Sequence, residues 1–316
     1  MNGATEAVLA QPWQDHLTKR VLLVTGKGGV GRTTLTAALA RAAAQAGRRV
    51  LIAEIGEPDG DYSPLARLFG RETLPPQVIH LEPGVKGCLL YSRVGHALFL
   101  ERVLPITTLV RAAMRSKALN KLLDAAPSFN EMGVFNHLLS LIKETRKDGE
   151  PEHQLIIVDM PATGHTLALT ALPDVLLRLM PTGPISELLR EGQKYLYDPE
   201  FSAATIVTLP ETLPVTECLE LVDGLRKTRV KVGTILVNKV VADPFDEQER
   251  AFLDTHIAGH PFFGKTRFLT MAQIEKSIDR LQRHAGAPVV AVPEFPQTGD
   301  ELVSAIAETL HSHAPR

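Results

Sequence analysis

The sequence contains few of the residues that would indicate a disulfide-stabilised or thiolate-metal protein. Only two cysteines, Cys88 and Cys218, occur in 316 residues. They are too far apart to form a Cys-x-x-Cys pair, and two thiolates alone do not complete a closed metal site. We therefore interpret both as small, buried apolar residues of a protein in a reducing compartment.

Long apolar runs and a strong net charge are also missing. No stretch approaches the roughly 18 consecutive apolar residues of a membrane span. The N-terminal residues include Glu6 and Asp15 in a broken apolar run, which is not the pattern of a signal peptide. A formal net charge of −2 gives no reason to expect nucleic-acid binding. We expect a cytoplasmic protein, and the sequence leaves open whether it binds peripherally to a membrane.

The chain does show a regular alternation of apolar runs and helical patterns. This alternation predicts an α/β fold, namely a doubly wound, mostly parallel sheet with helices on both faces. We expect a flexible leader over residues 1–18 and one domain over residues 19–316. The predicted strands are 20–24, 49–55, 78–81, 155–158, 204–209, 232–238 and 288–292, and the predicted helices are 33–46, 213–227, 270–285 and 299–312.

A glycine-rich segment lies between the first predicted strand and the first predicted helix. Residues 26–34 read Gly-Lys-Gly-Gly-Val-Gly-Arg-Thr-Thr. Glycines allow consecutive backbone N–H groups to approach phosphate oxygens, and the helix N-terminus adds partial positive charge. Compared with the phosphate-loop pattern G-x-x-x-x-G-K-[ST], Arg32 replaces the expected lysine. The predicted nucleotide-binding residues are Gly26, Lys27, Gly28, Gly29, Val30, Gly31, Arg32, Thr33 and Thr34.

A second motif follows the apolar run at 155–158. Residues 159–166 read Asp-Met-Pro-Ala-Thr-Gly-His-Thr. An acid at the C-terminal end of a strand, opposite a phosphate loop, can hold the water shell of Mg²⁺. We therefore predict that Thr33 and Asp159 serve a magnesium ion.

These two motifs resemble those of a known family. Gly-Lys-Gly-Gly-Val-Gly resembles the deviant Walker A loop of the ParA, MinD and ArsA ATPases. Residues 159–166 resemble the Asp-Thr-Ala-Pro-Thr-Gly-His-Thr switch II of the ArsA family, which includes arsenite-pump ATPases and ATPases that target tail-anchored membrane proteins. The resemblance covers roughly residues 20–56 and 155–310, and it implies a P-loop ATPase that uses ATP and Mg²⁺.

The resemblance also implies roles for individual residues. Lys27 would reach across a dimer interface to the nucleotide of the partner, which is either a second copy or a paralogous ATPase. Asn238, in Ile-Leu-Val-Asn-Lys, and Pro293 would frame the adenine. Glu294 and Phe295 belong to the same predicted nucleotide segment. The catalytic residues implied by the resemblance are Lys27, Glu57 and Asp159.

The sequence departs from the family pattern at switch I. The family usually has Ser-Thr-Asp-Pro-Ala after the second strand, and its Asp positions the attacking water. Without a gap, this Asp aligns with Gly56, whereas one inserted residue aligns it with Glu57. Glu54, at the end of the strand, is another way to place a carboxylate near the metal.

Two further departures concern charge and metal ligands. A guanidinium is larger and differently directed than an ammonium, so Arg32 predicts retained nucleotide binding and slower hydrolysis. Residues 239–265 contain no cysteine where the targeting ATPases carry their zinc ligands. His256 and His260 have helical spacing without a nearby acid, and we interpret them as surface residues. An arsenite pump and a zinc-bridged dimer are therefore disfavoured.

The region 87–150 interrupts the alternation and predicts a helical insert. Its part 87–124 combines leucines with six basic residues against Glu101 and Asp124. This pattern could contact a membrane component or an apolar protein client. The alternative is that these helices pack on the sheet and leave their Arg and Lys side chains solvated. The six basic residues are Arg93, Arg102, Arg111, Arg115, Lys117 and Lys121.

The favoured function is an ArsA-like, magnesium-dependent ATPase that acts as a nucleotide-gated dimer on a protein or membrane-associated client. The alternative is an ATP-binding regulatory subunit that hydrolyses weakly or not at all and pairs with an active paralogue. A MinD-type positioning ATPase is less favoured, because the predicted helix 299–312 carries acids unsuited to anionic lipid.

Overall fold

The computed structural model describes residues 18–56, 62–104, 114–116, 127–161, 163–241, 244–257 and 263–312. Within these residues eight strands form one sheet in the order β3-β4-β2-β5-β1-β6-β7-β8. Neighbouring strands are parallel except for the antiparallel pair β3–β4. The strands are β1 Val21–Gly26, β2 Val50–Ile55, β3 Ile79–Glu82, β4 Val85–Leu90, β5 Leu155–Asp159, β6 Ser202–Thr208, β7 Val232–Val240 and β8 Val289–Pro293. Apart from residue 18, the predicted leader lies outside the described residues.

Helices lie on both faces of the sheet. Those of the described residues are α1 Arg32–Gln45, α2 Pro64–Arg67, α3 Ser92–Val103, α4 Pro127–Lys143, α5 Thr163–Leu179, α6 Pro184–Leu196, α7 Thr212–Lys227, α8 Glu247–Ile257, α9 Lys265–His284 and α10 Gly299–Ser312. One apolar core lies between the sheet and α1, α2 and α10. The other lies between the sheet and α4, α5, α6, α7 and α9. The predicted doubly wound α/β architecture is confirmed.

Strand β1 shows why the sequence forms this sheet. Val21 and Leu23 belong to the core on the α4–α7 side, whereas Leu22 and Val24 belong to the core on the α1 side. A strand that is buried on both faces needs an uninterrupted apolar run rather than an alternating pattern. Strand β1 therefore lies in the centre of the sheet and presents its C-terminal end to the glycine-rich segment.

Strand β4 corrects the predicted helical insert at its start. Residues 87–90, assigned to the insert, are the end of β4, which pairs in parallel with β2. The short run Val-Lys-Gly-Cys-Leu-Leu does not distinguish a strand from a helix by its pattern. Position 87 favours glycine, because a Cβ there would lie only 2.5 Å from Leu81 Cδ1. The Leu81 side chain occupies the space that a larger residue at 87 would need. In the described residues the helical part begins with α3.

Helices α3 and α4 pack closely against each other. A Cβ on Gly95 would lie 1.8 Å from the carbonyl oxygen of Gly133, so only glycine allows this approach. The Asn136 side chain donates a 2.7 Å hydrogen bond to the Gly95 carbonyl. On α3, Arg102 forms a 2.9 Å ion pair with Glu191 of α6. The described part of the basic segment is therefore anchored to the domain.

The amphipathic helix α10 packs on α1. Its apolar residues Val303, Ile306 and Leu310 are buried in the α1-side core. This apolar side is therefore not available for a lipid surface. None of the helices in the described part of the chain has the length and apolar character required to cross a membrane.

Candidate functional site

The glycine-rich loop connects the end of β1 to the start of α1. Gly26 has φ 151°, and a Cβ there would lie 2.2 Å from the carbonyl oxygen of Val207 in β6. Gly31 has φ 92°, and a Cβ there would lie 2.4 Å from Asn238 Nδ2. Both positions therefore require glycine, one because of neighbouring backbone and the other because of a neighbouring side chain.

The glycine-rich loop contacts a buried side chain at Val30 and is exposed at Gly28 and Gly29. The Asn238 side chain donates a 2.9 Å hydrogen bond to the carbonyl of buried Val30. Gly28 and Gly29 are exposed, and a Cβ on either would meet no atom of the described residues within 4 Å. Exposed loop amides next to a helix N-terminus are the features that bind a phosphate group. The geometry therefore suits the predicted phosphate cradle.

Thr33 and Asp159 are brought together beside this loop. Asp159 ends β5 and pairs in register with Val24 of β1. The Thr33 hydroxyl donates a 2.7 Å hydrogen bond to Asp159 Oδ2. Within the described residues Asp159 Oδ1 is buried without a hydrogen-bond partner. Burial raises the pKa of the Asp159 carboxyl, and the Thr33 hydroxyl and the Arg32 charge oppose this shift.

This pair of oxygen donors fits a magnesium ion. Mg²⁺ is bound through oxygen ligands, usually one or two carboxylates with waters and substrate phosphates. Asp159 Oδ1 accepts no hydrogen bond from the described residues and has only the Arg32 guanidinium at 4.0 Å, so it can still serve as an oxygen ligand. The sequence prediction for Thr33 and Asp159 thus corresponds to two side chains in contact at the mouth of the loop.

Arg32 is folded back onto its own loop. Its Nη1 donates a 3.0 Å hydrogen bond to the Gly26 carbonyl, and its Nε lies 4.0 Å from Asp159 Oδ1. Its Nε has no hydrogen-bond partner among the described residues. The guanidinium therefore lies between the loop and the carboxylate, where it can still donate to a phosphate oxygen.

Lys27 occupies a different environment. Its ammonium forms a hydrogen-bonded ion pair with Glu217 of α7. The Lys27 side chain is 53% exposed and that of Glu217 is 22% exposed. This partner is not visible in the sequence pattern, because the two residues are 190 positions apart and Glu217 lies in an ordinary amphipathic helix.

The predicted switch segments are described in part. Glu57 lies outside the described residues, as do the side chains of 162–165 in switch II. Gly56 follows β2, and Glu54 pairs in register with Asp159. The Ser63 hydroxyl donates to the Glu54 carboxylate. Sequence reasoning did not identify Ser63, which carries no motif signal.

The predicted switch II segment contacts β1 through a pair of threonines. The hydroxyl oxygens of Thr25 and Thr166 are 2.8 Å apart, and Thr166 also donates a 3.1 Å hydrogen bond to the Pro161 carbonyl. Both threonines are fully buried. The start of α5 is therefore coupled to the strand that carries the phosphate loop.

The predicted adenine segment lies at the ends of β7 and β8. Asn238 uses its amide oxygen to accept a 3.0 Å hydrogen bond from the Lys239 N–H, in addition to its contact with Val30. The Glu294 N–H donates a 3.0 Å hydrogen bond to the Val240 carbonyl, which fixes the segment that follows β8. Pro293 and Phe295 are half-buried, and Glu294 is exposed. Asn238 thus supports the phosphate loop, and its role toward adenine remains a prediction.

The positions of the two cysteines and of His256 agree with the sequence interpretation, and that of His260 is not tested. Cys88 and Cys218 are buried free thiols, and burial raises the pKa of each to about 12. His256 is exposed on α8 with its ring stacked on Phe252, whereas His260 lies outside the described residues. No group of three or more His, Cys, Asp or Glu that could hold a metal occurs in the part of the chain described.

Comparison with known proteins finds a nucleotide-binding domain and several ATPases that this chain resembles. Residues 21–285 match the CobQ/CobB/MinD/ParA nucleotide binding domain. The chain is 28% identical over 245 residues to ATPase BagA of Mycobacterium tuberculosis, covering 76% of this chain and 71% of that protein. It is 26% identical over 290 residues to an ATPase ASNA1 homolog of Trypanosoma cruzi, covering 74% and 78%. It is 26% identical over 234 residues to the arsenical pump-driving ATPase of Escherichia coli, covering 69% and 34%.

Proposed function

Because the chain belongs to the family of CobQ/CobB/MinD/ParA nucleotide-binding domains and is similar to ArsA-like ATPases, we propose that it is a magnesium-dependent ATPase working as a nucleotide-gated dimer. The observation that carries the proposal is the contact between Thr33 and Asp159. They form a 2.7 Å hydrogen bond beside the exposed Gly28 and Gly29 of the loop, and Asp159 Oδ1 accepts no hydrogen bond from the residues that the structure describes.

Each residue has a defined part in this proposal. The backbone N–H groups of 28–33 would bind phosphate oxygens, and Arg32 would add its charge to them. Thr33 and Asp159 would hold a magnesium ion, whose charge would offset that of the bound phosphates. In hydrolysis a water oxygen bonds to the γ-phosphorus while the bond to the β,γ-bridging oxygen breaks, giving ADP and inorganic phosphate. The chain contributes position and charge to this exchange.

Dimerisation rests on Lys27 and on the resemblance. An exposed ion pair such as Lys27–Glu217 is worth about 0–1 kcal/mol, so the ammonium can be redirected at low energetic cost. In the dimer Lys27 would reach the phosphates bound by the partner, which is either a second copy or a paralogous ATPase. The γ-phosphate would order the switch segments and hydrolysis would release them.

Steady-state phosphate release with ATP and Mg²⁺ tests the enzyme. We expect turnover in the wild type and a loss of about 10²- to 10³-fold in Asp159→Ala, because an essential charged ligand is removed. Asp148→Ala is the matched control, since Asp148 is exposed in the loop that precedes β5. Equal turnover in wild type and Asp159→Ala contradicts the proposal.

The second candidate is a regulatory subunit that holds ATP without hydrolysing it. It is favoured by the position of Arg32, whose guanidinium contacts the Gly26 carbonyl and lies near the carboxylate assigned to magnesium. A single-turnover experiment separates the two candidates. Bound ATP that is retained unchanged supports the regulatory subunit, whereas bound ADP and released phosphate support the enzyme.

A further inference from the structure

We propose that Glu54 is the switch I carboxylate of this protein, that it orders a water molecule beside Asp159, and that Ser63 fixes its orientation. This inference rests on the proposed function. Glu54 is a positioning residue here, since it acts through water next to the magnesium site.

The register of the sheet places Glu54 beside Asp159. Glu54 is the next-to-last residue of β2 and pairs with Asp159, the last residue of β5. Registered residues of adjacent strands point to the same face of a sheet. Two positions earlier, Ile52 and Ile157 both belong to the α1-side core. Glu54 and Asp159 therefore share the face on which Thr33 lies.

The electrostatics of Glu54 agree with this placement. Burial raises the pKa of its carboxyl, and the nearby Asp159 carboxylate raises it further, while the Ser63 hydrogen bond opposes the shift. The register itself places half-buried Glu54 beside buried Asp159, so the two carboxylates share one poorly solvated space. A divalent cation with its water shell would relieve the repulsion between them.

Ser63 holds Glu54 through both of its hydrogen-bonding functions. Its hydroxyl oxygen accepts a 3.0 Å hydrogen bond from the Ala66 N–H and caps α2. Its hydroxyl proton is donated to Glu54 Oε2. Because Ser63 is buried and is itself fixed by the helix cap, it fixes the direction of the Glu54 carboxylate. Among the described residues at the end of β2 and after it, Glu54 is the acid that lies next to Asp159.

A purely structural role would make Glu54 only an acceptor for the Ser63 hydroxyl and the Leu65 N–H. Glu54→Gln separates the two roles, because the amide oxygen still accepts from Ser63 while the negative charge is lost. Ser63→Ala removes the cap and the fixed orientation together. Ser63→Thr keeps a hydroxyl and should restore what Ser63→Ala loses.

The experiment uses the full chain with a non-hydrolysable ATP analogue and Mn²⁺ as the probe. Mn²⁺ affinity is measured by electron paramagnetic resonance, and phosphate release with ATP and thermal unfolding are measured in parallel. For Glu54→Gln we expect an unchanged melting temperature and analogue affinity, with Mn²⁺ affinity or turnover lowered by about 10- to 100-fold. Ser63→Ala should lower both the melting temperature and Mn²⁺ affinity, and Ser63→Thr should recover both. Glu72→Gln is the matched control, since Glu72 is exposed on the segment after α2.

The outcomes separate this inference from the proposed function. If the wild type binds Mn²⁺ with the analogue but releases no phosphate, the hydrolase proposal fails and the Mn²⁺ comparison still tests Glu54. Equal Mn²⁺ affinity and equal turnover in wild type and Glu54→Gln overturn the inference. A lower Mn²⁺ affinity or turnover in Glu54→Gln, with an unchanged melting temperature, supports the inference.

Discussion

Lys27 and Arg32 lie at opposite ends of the same glycine-rich segment, yet their charged groups differ in exposure and in partners. The Arg32 side chain is 17% exposed and contacts its own loop and Asp159. The Lys27 side chain is 53% exposed and is paired with Glu217 on the neighbouring helix α7. One cation therefore belongs to the interior of the site, and the other lies at its rim.

The difference in environment suggests a difference in task. Arg32 can act only on a phosphate held by its own loop, because its guanidinium is confined between the Gly26 carbonyl and Asp159. Lys27 is held by one exposed ion pair, which solvent and salt weaken. The ammonium of such a lysine can leave this ion pair and contact a negative group outside its own chain. The comparison therefore leads to the expectation that Arg32 acts in its own protomer and Lys27 acts across the dimer.

The largest effect is expected for Lys27→Ala. Removing a cation that acts on the transferred phosphoryl group across an interface should lower turnover by about 10³-fold or more. Nucleotide binding, measured by calorimetry, should remain, because the rest of the loop and Asp159 are unchanged. Lys227→Ala is the matched control, since Lys227 is exposed at the end of α7. Unchanged turnover in Lys27→Ala would show that the two cations do not divide their tasks in this way.

An intermediate effect is expected for Arg32→Lys. An ammonium is a compact charge that cannot span the Gly26 carbonyl and Asp159 as the planar guanidinium does. We expect turnover to rise by about tenfold, because the lysine would contact the phosphates as in the usual pattern. This change in rate corresponds to about 1.4 kcal/mol in activation free energy. Phosphate release is the measurement, with binding affinity as its control. A complete loss of turnover would mean that this site is adapted to the guanidinium.

The smallest effect is expected for Glu217→Gln. The amide keeps the shape of the side chain but releases the charge of Lys27. Since an exposed pair contributes at most about 1 kcal/mol, the dissociation constant of the ATP-loaded dimer should fall by no more than about fivefold. Sedimentation equilibrium checks this value, and Glu220→Gln on the same helix is the control. A weaker dimer would instead assign Glu217 a direct contact with the partner.

Local sequence determined much of the fold and the centre of the site. Continuous apolar runs located β1, β2 and β5 to within a few residues, because strands buried on both faces need such runs. Motif spacing placed Thr33 and Asp159, which the structure brings to 2.7 Å. Strand β4 was missed because Lys86 and Gly87 interrupt its apolar run, and its pairing with β2 is a tertiary contact.

The partners of the site residues could not be predicted from sequence. The contacts Lys27–Glu217 and Asn238–Val30 join residues 190 and 208 positions apart, so no local pattern records them. The contact between Ser63 and Glu54 is closer in sequence, but it depends on the path of the chain after β2. The chemistry of a motif can be recognised from sequence, whereas the side chains that orient it become visible only in the folded structure.

The central claim is that magnesium and a nucleotide triphosphate meet between the glycine loop and Asp159. Isothermal titration calorimetry of the full chain with ATP, in the presence and absence of Mg²⁺, tests it most directly. We predict a binding heat that is strengthened by Mg²⁺ in the wild type, and loss of this strengthening in Asp159→Ala. A wild-type protein that gives no binding heat with ATP and Mg²⁺ would contradict the account.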